Sequence, residues 1–327
     1  MKPIADRLAA LFVFVFSLSA LSAHAQTNVA FPGRAVAITV PFPAGGATDI
    51  LTRGIAQRLT EKWGQSVVVD NKPGGGSLIG AESVARATPD GYQLMLTIST
   101  LIQAPHLRAQ NTFNPVQSLT PITEVARTPL IMVVHPDVNA STPAELVTLV
   151  KSQPGKFSYG TYGTGSSAHL YGFIFNKQTG LDMEHVAYKG EAPSVNDLIG
   201  GQIPIVIMSG VGAVPNIKAG KMRPLAVTGP ARAPILPQVP SFKELGYTGM
   251  DDAGWFGLFA PAGTPNVIVD KISADVRAVL AEPALKERMG ALGLELTGSS
   301  PQTFQATVAR DYKKWRQVVQ DSGISAN

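Results

Sequence analysis

Short apolar runs alternate along this 327-residue chain with stretches whose apolar positions recur every three to four residues. The first pattern predicts strands and the second helices. Ala35–Pro41 predicts a strand. Thr48–Trp63 predicts a helix with Ile50, Leu51, Ile55 and Leu59 at helical spacing, stopped by Gly64. Ser66–Asp70 predicts a strand, Ser77–Ala87 a helix, Pro89-Asp90-Gly91 a turn and Tyr92–Ser99 a strand. Parallel strands need helical crossovers, so this rhythm implies an α/β layer domain.

The rhythm restarts past residue 125. Strands are predicted at Leu130–His135, Phe157–Tyr159, His185–Tyr188, Ile203–Met208 and Pro224–Val227, and helices at Ser166–Thr179 and Pro193–Ile199. Thr142-Pro143-Ala144-Glu145 is a capping box with Pro at the first helical position. Residues 229–240 carry four prolines and predict an irregular surface segment. Ser241-Phe242-Lys243-Glu244 repeats the capping pattern, and Gly254–Ala260 predicts a strand. The tail is helical, with Thr264 capping a helix from Pro265 and Ser300 capping one from Pro301 to Asp321. Two α/β lobes follow: residues 26–128 with 255–327, and residues 129–254. Leu130–His135 and Trp255–Ala260 are expected to join them, and the C-terminal helices to pack back on the first lobe.

The start of the chain reads differently. Lys2 and Arg7 precede the apolar run Leu8–Leu21, too short for a comfortable membrane span, and Ala23-His24-Ala25 supplies a small-x-small cleavage pattern. Residues 1–25 therefore predict a secretory signal cleaved after Ala25, and an exported mature protein. An exported protein meets little ATP or NAD, which weighs against every nucleotide reading.

Composition narrows the chemistry. With 45% hydrophobic residues the chain can bury a large core. It has no Cys, which excludes disulfides, thiolate metal sites and a cysteine nucleophile. A net charge of +4 without a block of like charges gives no sign of nucleic-acid binding. No two of His106, His135, His169 and His185 have metal-ligand spacing.

Three glycine-rich helix entries remain. Pro41-Phe42-Pro43-Ala44-Gly45-Gly46-Ala47-Thr48-Asp49 lies between a strand and a helix. It reads either as a backbone anion site at a helix N-terminus, capped by Thr48 or Asp49, or as a tight turn that binds nothing. Gly160-Thr161-Tyr162-Gly163-Thr164-Gly165-Ser166-Ser167 repeats the arrangement in the second lobe. Gly163–Ala168 also fits a dinucleotide fingerprint, but weakly. Lys72-Pro73-Gly74-Gly75-Gly76-Ser77 lacks the Lys-Ser/Thr ending of a phosphate loop, leaving a structural turn or a cleft wall with Ser77 donating. His169, one turn after Ser166, reads as a packing residue or as the base of a serine hydrolase. Trp255-Phe256 reads as core or as a ligand wall, and Lys189 as solvated or as an anion contact.

Several motifs resemble one family. Phe31-Pro32-Gly33-Arg34 followed by Ile38–Asp49 looks like the opening of the Bug receptors, the periplasmic solute-binding components of tripartite tricarboxylate transporters. The likeness continues through Asn71–Gly76, Pro89–Tyr92, Ala187–Gly190, Ile217–Lys221 and Trp255–Pro265. The resemblance implies a type II periplasmic-binding-protein fold: two α/β lobes and a hinged cleft. It implies a receptor, not an enzyme, with no cofactor or metal. Backbone amides of Pro43–Thr48 and Thr164–Ser167 would hold one carboxylate of a small solute. The expected ligand contacts are Phe42, Pro43, Ala44, Gly45, Gly46, Thr48, Asp49, Ser77, Ser99, Tyr162, Thr164, Gly165, Ser166, Ser167, His169, Tyr188, Ser209 and Trp255. The expected solute is a mono- or dicarboxylate or an aromatic carboxylate, and the protein a monomer. Its protein partners would be the membrane permease subunits of such a transporter, or a membrane sensor kinase. Many family members carry an acidic or amide residue after the strand that ends near Ile207. Here Met208-Ser209-Gly210 follows, so the distal pocket is expected to suit an amino-bearing ligand less well.

Overall fold

The computed structural model describes residues 31–107 and 113–323. The predicted leader and its cleavage point lie outside them. From Arg34 onward, β1 (Val36–Val40) runs into α1 (Ala47–Trp63), which Gly64 ends in the left-handed conformation, its N–H returning to Thr60 O. β2 (Val67–Asn71), α2 (Leu78–Ala85) and β3 (Gln93–Ile98) follow. Then come two short helices, α3 (Thr100–Gln103) and α4 (Pro115–Ser118), and the long β4 (Leu119–Thr128).

After Pro129 the second unit begins with β5 (Leu130–Val134), α5 (Pro143–Ser152) and β6 (Ser158–Thr161). It continues through α6 (Ser167–Thr179), β7 (Glu184–Ala187), α7 (Glu191–Ile199), β8 (Ile205–Ser209), α8 (Gly210–Lys218) and β9 (Arg223–Val227). The chain then returns through β10 (Gly254–Pro261), α9 (Asn266–Leu280), α10 (Pro283–Gly290), β11 (Glu295–Leu296) and α11 (Pro301–Ser322).

Among the described residues the strands form two sheets, ordered β11-β4-β10-β3-β1-β2 and β7-β6-β8-β5-β9. β1 lies parallel to β2 and β3, whereas β10 pairs antiparallel with β3 and β4. β6 is parallel to β7 and β8, and β5 antiparallel to β8 and β9. The uniformly buried Leu-Ile-Met-Val-Val of β5 fits its internal position between β8 and β9. Both predicted connecting strands are thus internal sheet strands. The crossings themselves are Pro129 and the segment 228–253. Leu130 N–H donates to Thr228 Oγ1 (2.9 Å) and Thr228 N–H to Leu130 O (2.8 Å), tying the two crossings together.

The C-terminal helices pack against the six-stranded sheet. Phe304 stands edge-on to Trp255 (5.3 Å between ring centres) and beside Phe259, all three buried. Trp255 Nε1 donates to Asp311 Oδ2 at 3.1 Å, so the one polar atom of a buried indole is satisfied. Three cap expectations differ from the structure. α1 begins at Ala47 behind Gly46, with no capping side chain, so neither Thr48 nor Asp49 caps it. Pro265, not Thr264, precedes α9, and the Thr264 hydroxyl turns back to Pro261 O. Ser241 Oγ accepts Glu244 N–H as a capping box would, yet the segment is a turn and not a helix.

Candidate functional site

The sequence drives a strand into a helix at Pro41–Asp49, and the loop is held from within. Asp49 is buried, and its carboxylate accepts Gly45 N–H (3.0 Å), Arg53 Nε (2.9 Å) and Asn71 Nδ2 (3.0 Å). Burial works to raise its pKa, but these hydrogen bonds outweigh it and hold the carboxyl below its ordinary value. With Asp49 turned inward, the amides of Gly46, Ala47 and Thr48 carry no hydrogen bond among the described residues. They form the bare N-terminus of a 17-residue helix, where unpaired N–H groups and the helix dipole attract negative charge.

This terminus forms one wall of a cavity of about 40 Å³ between the two sheets. Of the predicted contacts, Phe42, Pro43, Gly46, Thr48, Ser99, Tyr162, Ser209 and Trp255 line it. Ala47 of the predicted amide loop and Phe256, read as core or ligand wall, also line it, and Ile98, Thr128, Leu130, Glu191 and Gly254, which carry no contact signal in the sequence, complete the wall. Such a volume has room for only a few waters, so the walls must part to admit a solute. The units meet at several points around it. Ser99 Oγ lies 3.1 Å from Ser167 Oγ, and Gln103 Nε2 donates to Ser167 Oγ at 2.9 Å. A Cβ added to Gly190 would sit 2.8 Å from Pro43 Cδ, and one added to Gly76 would sit 3.0 Å from Thr164 O.

The remaining predicted contacts lie elsewhere. Ala44 and Gly45 are exposed at the loop tip. Ser77, Thr164 and Tyr188 line a neighbouring crevice of about 240 Å³ with exposed Lys189, and the Tyr188 hydroxyl donates to Asp197 Oδ2 at 2.8 Å. The second glycine loop spends its polar groups locally. Ser166 Oγ caps α6 by accepting His169 N–H and donates to Gly163 O, while the Tyr162 hydroxyl takes Ala168 N–H. Gly165 packs against Ala104, where an added Cβ would approach Ala104 Cα at 3.0 Å. Of this loop only Tyr162 reaches the cavity.

His169 is not a base for Ser166. Its Nδ1 accepts Gly165 N–H at 3.2 Å, and its ring stacks on His185 with centres 3.8 Å apart. Burial pushes His169 down to about 4, and burial together with His169 pushes His185 down to about 3. Both rings are neutral packing groups, which removes the serine–histidine hydrolase geometry. Among the described residues no group of three acidic, His or Cys side chains could hold a metal.

The cavity has an acid after all. Glu191, at the start of α7, is buried, and its carboxylate accepts Ser209 N–H and the Ser209 hydroxyl at 2.8 Å each, with Gly212 N–H also donating. Met208-Ser209-Gly210 brings no acid of its own, but Glu191, from a different element, seats on Ser209. Burial raises the pKa of Glu191 against the lowering effect of these donors.

The family model described as the tripartite tricarboxylate transporter family receptor matches residues 51–324. The chain belongs to that family. Protein BugT of Bordetella pertussis is 30% identical over 319 residues, covering 97% of this chain and 98% of that protein. The solved periplasmic binding protein BugD matches with a TM-score of 0.86 and 35% identity over 91% of this chain and all of that one. A Rhodopseudomonas palustris protein, Rpa4515, solved with adipate, matches with a TM-score of 0.86 and 34% identity, covering 90% and 99%. These likenesses establish the two-lobed periplasmic-binding fold and a solute-binding receptor of the family.

Proposed function

We propose that this receptor captures a small carboxylated solute in the cavity between its two sheets, with one carboxylate on the Gly46, Ala47 and Thr48 amides. The carrying observation is the α1 N-terminus, which faces a cavity with three free N–H groups and no capping side chain. A desolvated carboxylate accepting several N–H bonds is held strongly without a cationic partner. Rpa4515, solved with adipate, supports the solute class. Solute entry needs the walls to part and then re-form, a ligand-driven shift between open and closed populations. The working location is the periplasm, after cleavage behind Ala25, and the loaded form is presented to the permease subunits of a tripartite transporter.

A panel of mono- and dicarboxylates tests this by thermal unfolding. A true ligand at about 100 times its Kd adds roughly 2.7 kcal/mol of stability, which for a protein of this size raises Tm by about 4–5 °C. No shift across the panel, with folded protein, contradicts the proposal.

A further inference from the structure

We infer that Glu191 sets which carboxylates this cavity accepts, admitting those with a hydrogen-bond donor on the carbon beside the carboxylate and excluding those with a second carboxylate there. The inference rests on the proposed carboxylate site and goes beyond it. Three donors converge on the Glu191 carboxyl, namely Ser209 N–H, the Ser209 hydroxyl and Gly212 N–H. Burial raises its pKa, and all three donors act the other way, because an ionised oxygen accepts N–H and O–H bonds more strongly than a neutral carboxyl does. A Cβ on Gly212 would sit 2.8 Å from Glu191 Oε1, so the carboxylate is pressed against the α8 backbone and held in place. No Lys or Arg forms an ion pair with it among the described residues. The cavity wall therefore holds a fixed, buried carboxyl that in its ionised form has no cation beside it.

That carboxyl stands beside the anion cradle. A Cβ built on Gly46 would lie 4.0 Å from Glu191 Cβ, so a carboxylate on the α1 amides and the Glu191 carboxylate flank the same small space. A second carboxylate on the ligand's α-carbon meets a like charge in a desolvated site, which disfavours binding. A hydroxyl or ammonium at the same carbon can donate to Glu191, whose carboxylate keeps acceptor capacity beyond its three donors. The shared ligand chemistry is a 2-hydroxy or 2-amino acid.

The experiment titrates four ligands that share one butyl tail: hexanoate, 2-hydroxyhexanoate, norleucine and butylmalonate. Each is titrated calorimetrically at neutral pH into the wild type and into Glu191→Gln. In the wild type 2-hydroxyhexanoate, norleucine or both bind at least ~10-fold tighter than butylmalonate, a measurement that needs no variant. The two donor-bearing ligands separate a neutral donor from a cation. In Glu191→Gln, butylmalonate gains at least ~10-fold relative to the better donor-bearing ligand, while hexanoate changes less than ~3-fold. Butylmalonate binding the wild type as tightly as both donor-bearing ligands overturns the inference, as does a folded Glu191→Gln protein with an unchanged preference. Hexanoate binding in either of those cases leaves the carboxylate site standing. Silence of all four ligands together with the wider carboxylate panel overturns the site and this inference at once.

Discussion

Asp49→Ala should loosen the anion loop without touching the cavity wall, and its cost can be worked from the partners it abandons. Three donors lose a charged acceptor, and a hydrogen bond to a charged group is worth about 1.5–3 kcal/mol net. The partners are not equally stranded. Gly45 is exposed and the Arg53 side chain is about half exposed (52%), so water replaces Asp49 at both. Asn71 Nδ2 keeps its bond to Phe42 O at 3.0 Å. The net loss is therefore far below three full bonds, at about 2 kcal/mol, or roughly 3 °C in Tm. The pH dependence follows from a folded pKa that lies below the ordinary value of 3.8. Stability from the ionised form is complete above that value and is lost as the pH falls through the lower folded value. The stability gap between wild type and Asp49→Ala is thus full at neutral pH and closes in strong acid. Carboxylate affinity should fall about tenfold, because Gly46–Thr48 are no longer pre-organised. Urea titrations from pH 7 down to pH 3 and calorimetric binding read both effects. A Tm and an affinity that both match the wild type would refute the assignment of Asp49 as the residue that shapes the loop.

Gly172→Ala should destabilise by about 1–3 kcal/mol in chemical denaturation, since its Cβ would lie 2.1 Å from Cε2 of the buried Tyr159 ring. Ser166→Ala should cost about 1 kcal/mol through loss of the α6 cap while leaving carboxylate affinity within threefold of wild type; a tenfold loss of affinity would return the second loop to the binding machinery. His169 and His185 titrate near 4 and 3 in the folded protein against 6.5 when unfolded, so the unfolded chain takes up protons first and stability falls as the pH drops below about 6.5. Removing one titrating group in His169→Gln should flatten that slope between pH 6.5 and 4.5 in urea titrations.

Local signals in the sequence matched the structure where the cause was local. Gly64 stops α1 in the left-handed conformation, and Thr142, Ser166 and Ser300 each accept the N–H three residues on at the start of a helix. β4 has no clear strand pattern in the sequence because Pro121, Glu124 and Arg127 break its apolar run. Its charges are satisfied only in the fold, where Arg127 grips Glu124 at 2.6 and 2.8 Å. α8 contains two glycines and Pro215, so helix propensity argued against it, and Ser209 supplies the cap that starts it. The glycine loop at Pro41–Asp49 was legible as a strand-to-helix entry, but which of its residues face inward was not. Asp49 belongs to the loop because Asn71, 22 residues away, comes back beside it. Glu191 was invisible for the same reason. It follows directly on Tyr188-Lys189-Gly190 with no motif of its own, and its partner Ser209 is 18 residues further along. The cavity is a product of two sheets meeting, and no single stretch of chain encodes it.

The most direct test of carboxylate capture follows the backbone amide resonances of Gly46, Ala47 and Thr48 during titration with a ligand from the stabilising panel. These three should move downfield together, saturating with the affinity measured calorimetrically, and by more than those of Gly163, Gly165 and Ser167. Saturable binding that leaves all three in place while other amides shift would put the carboxylate elsewhere and contradict the account.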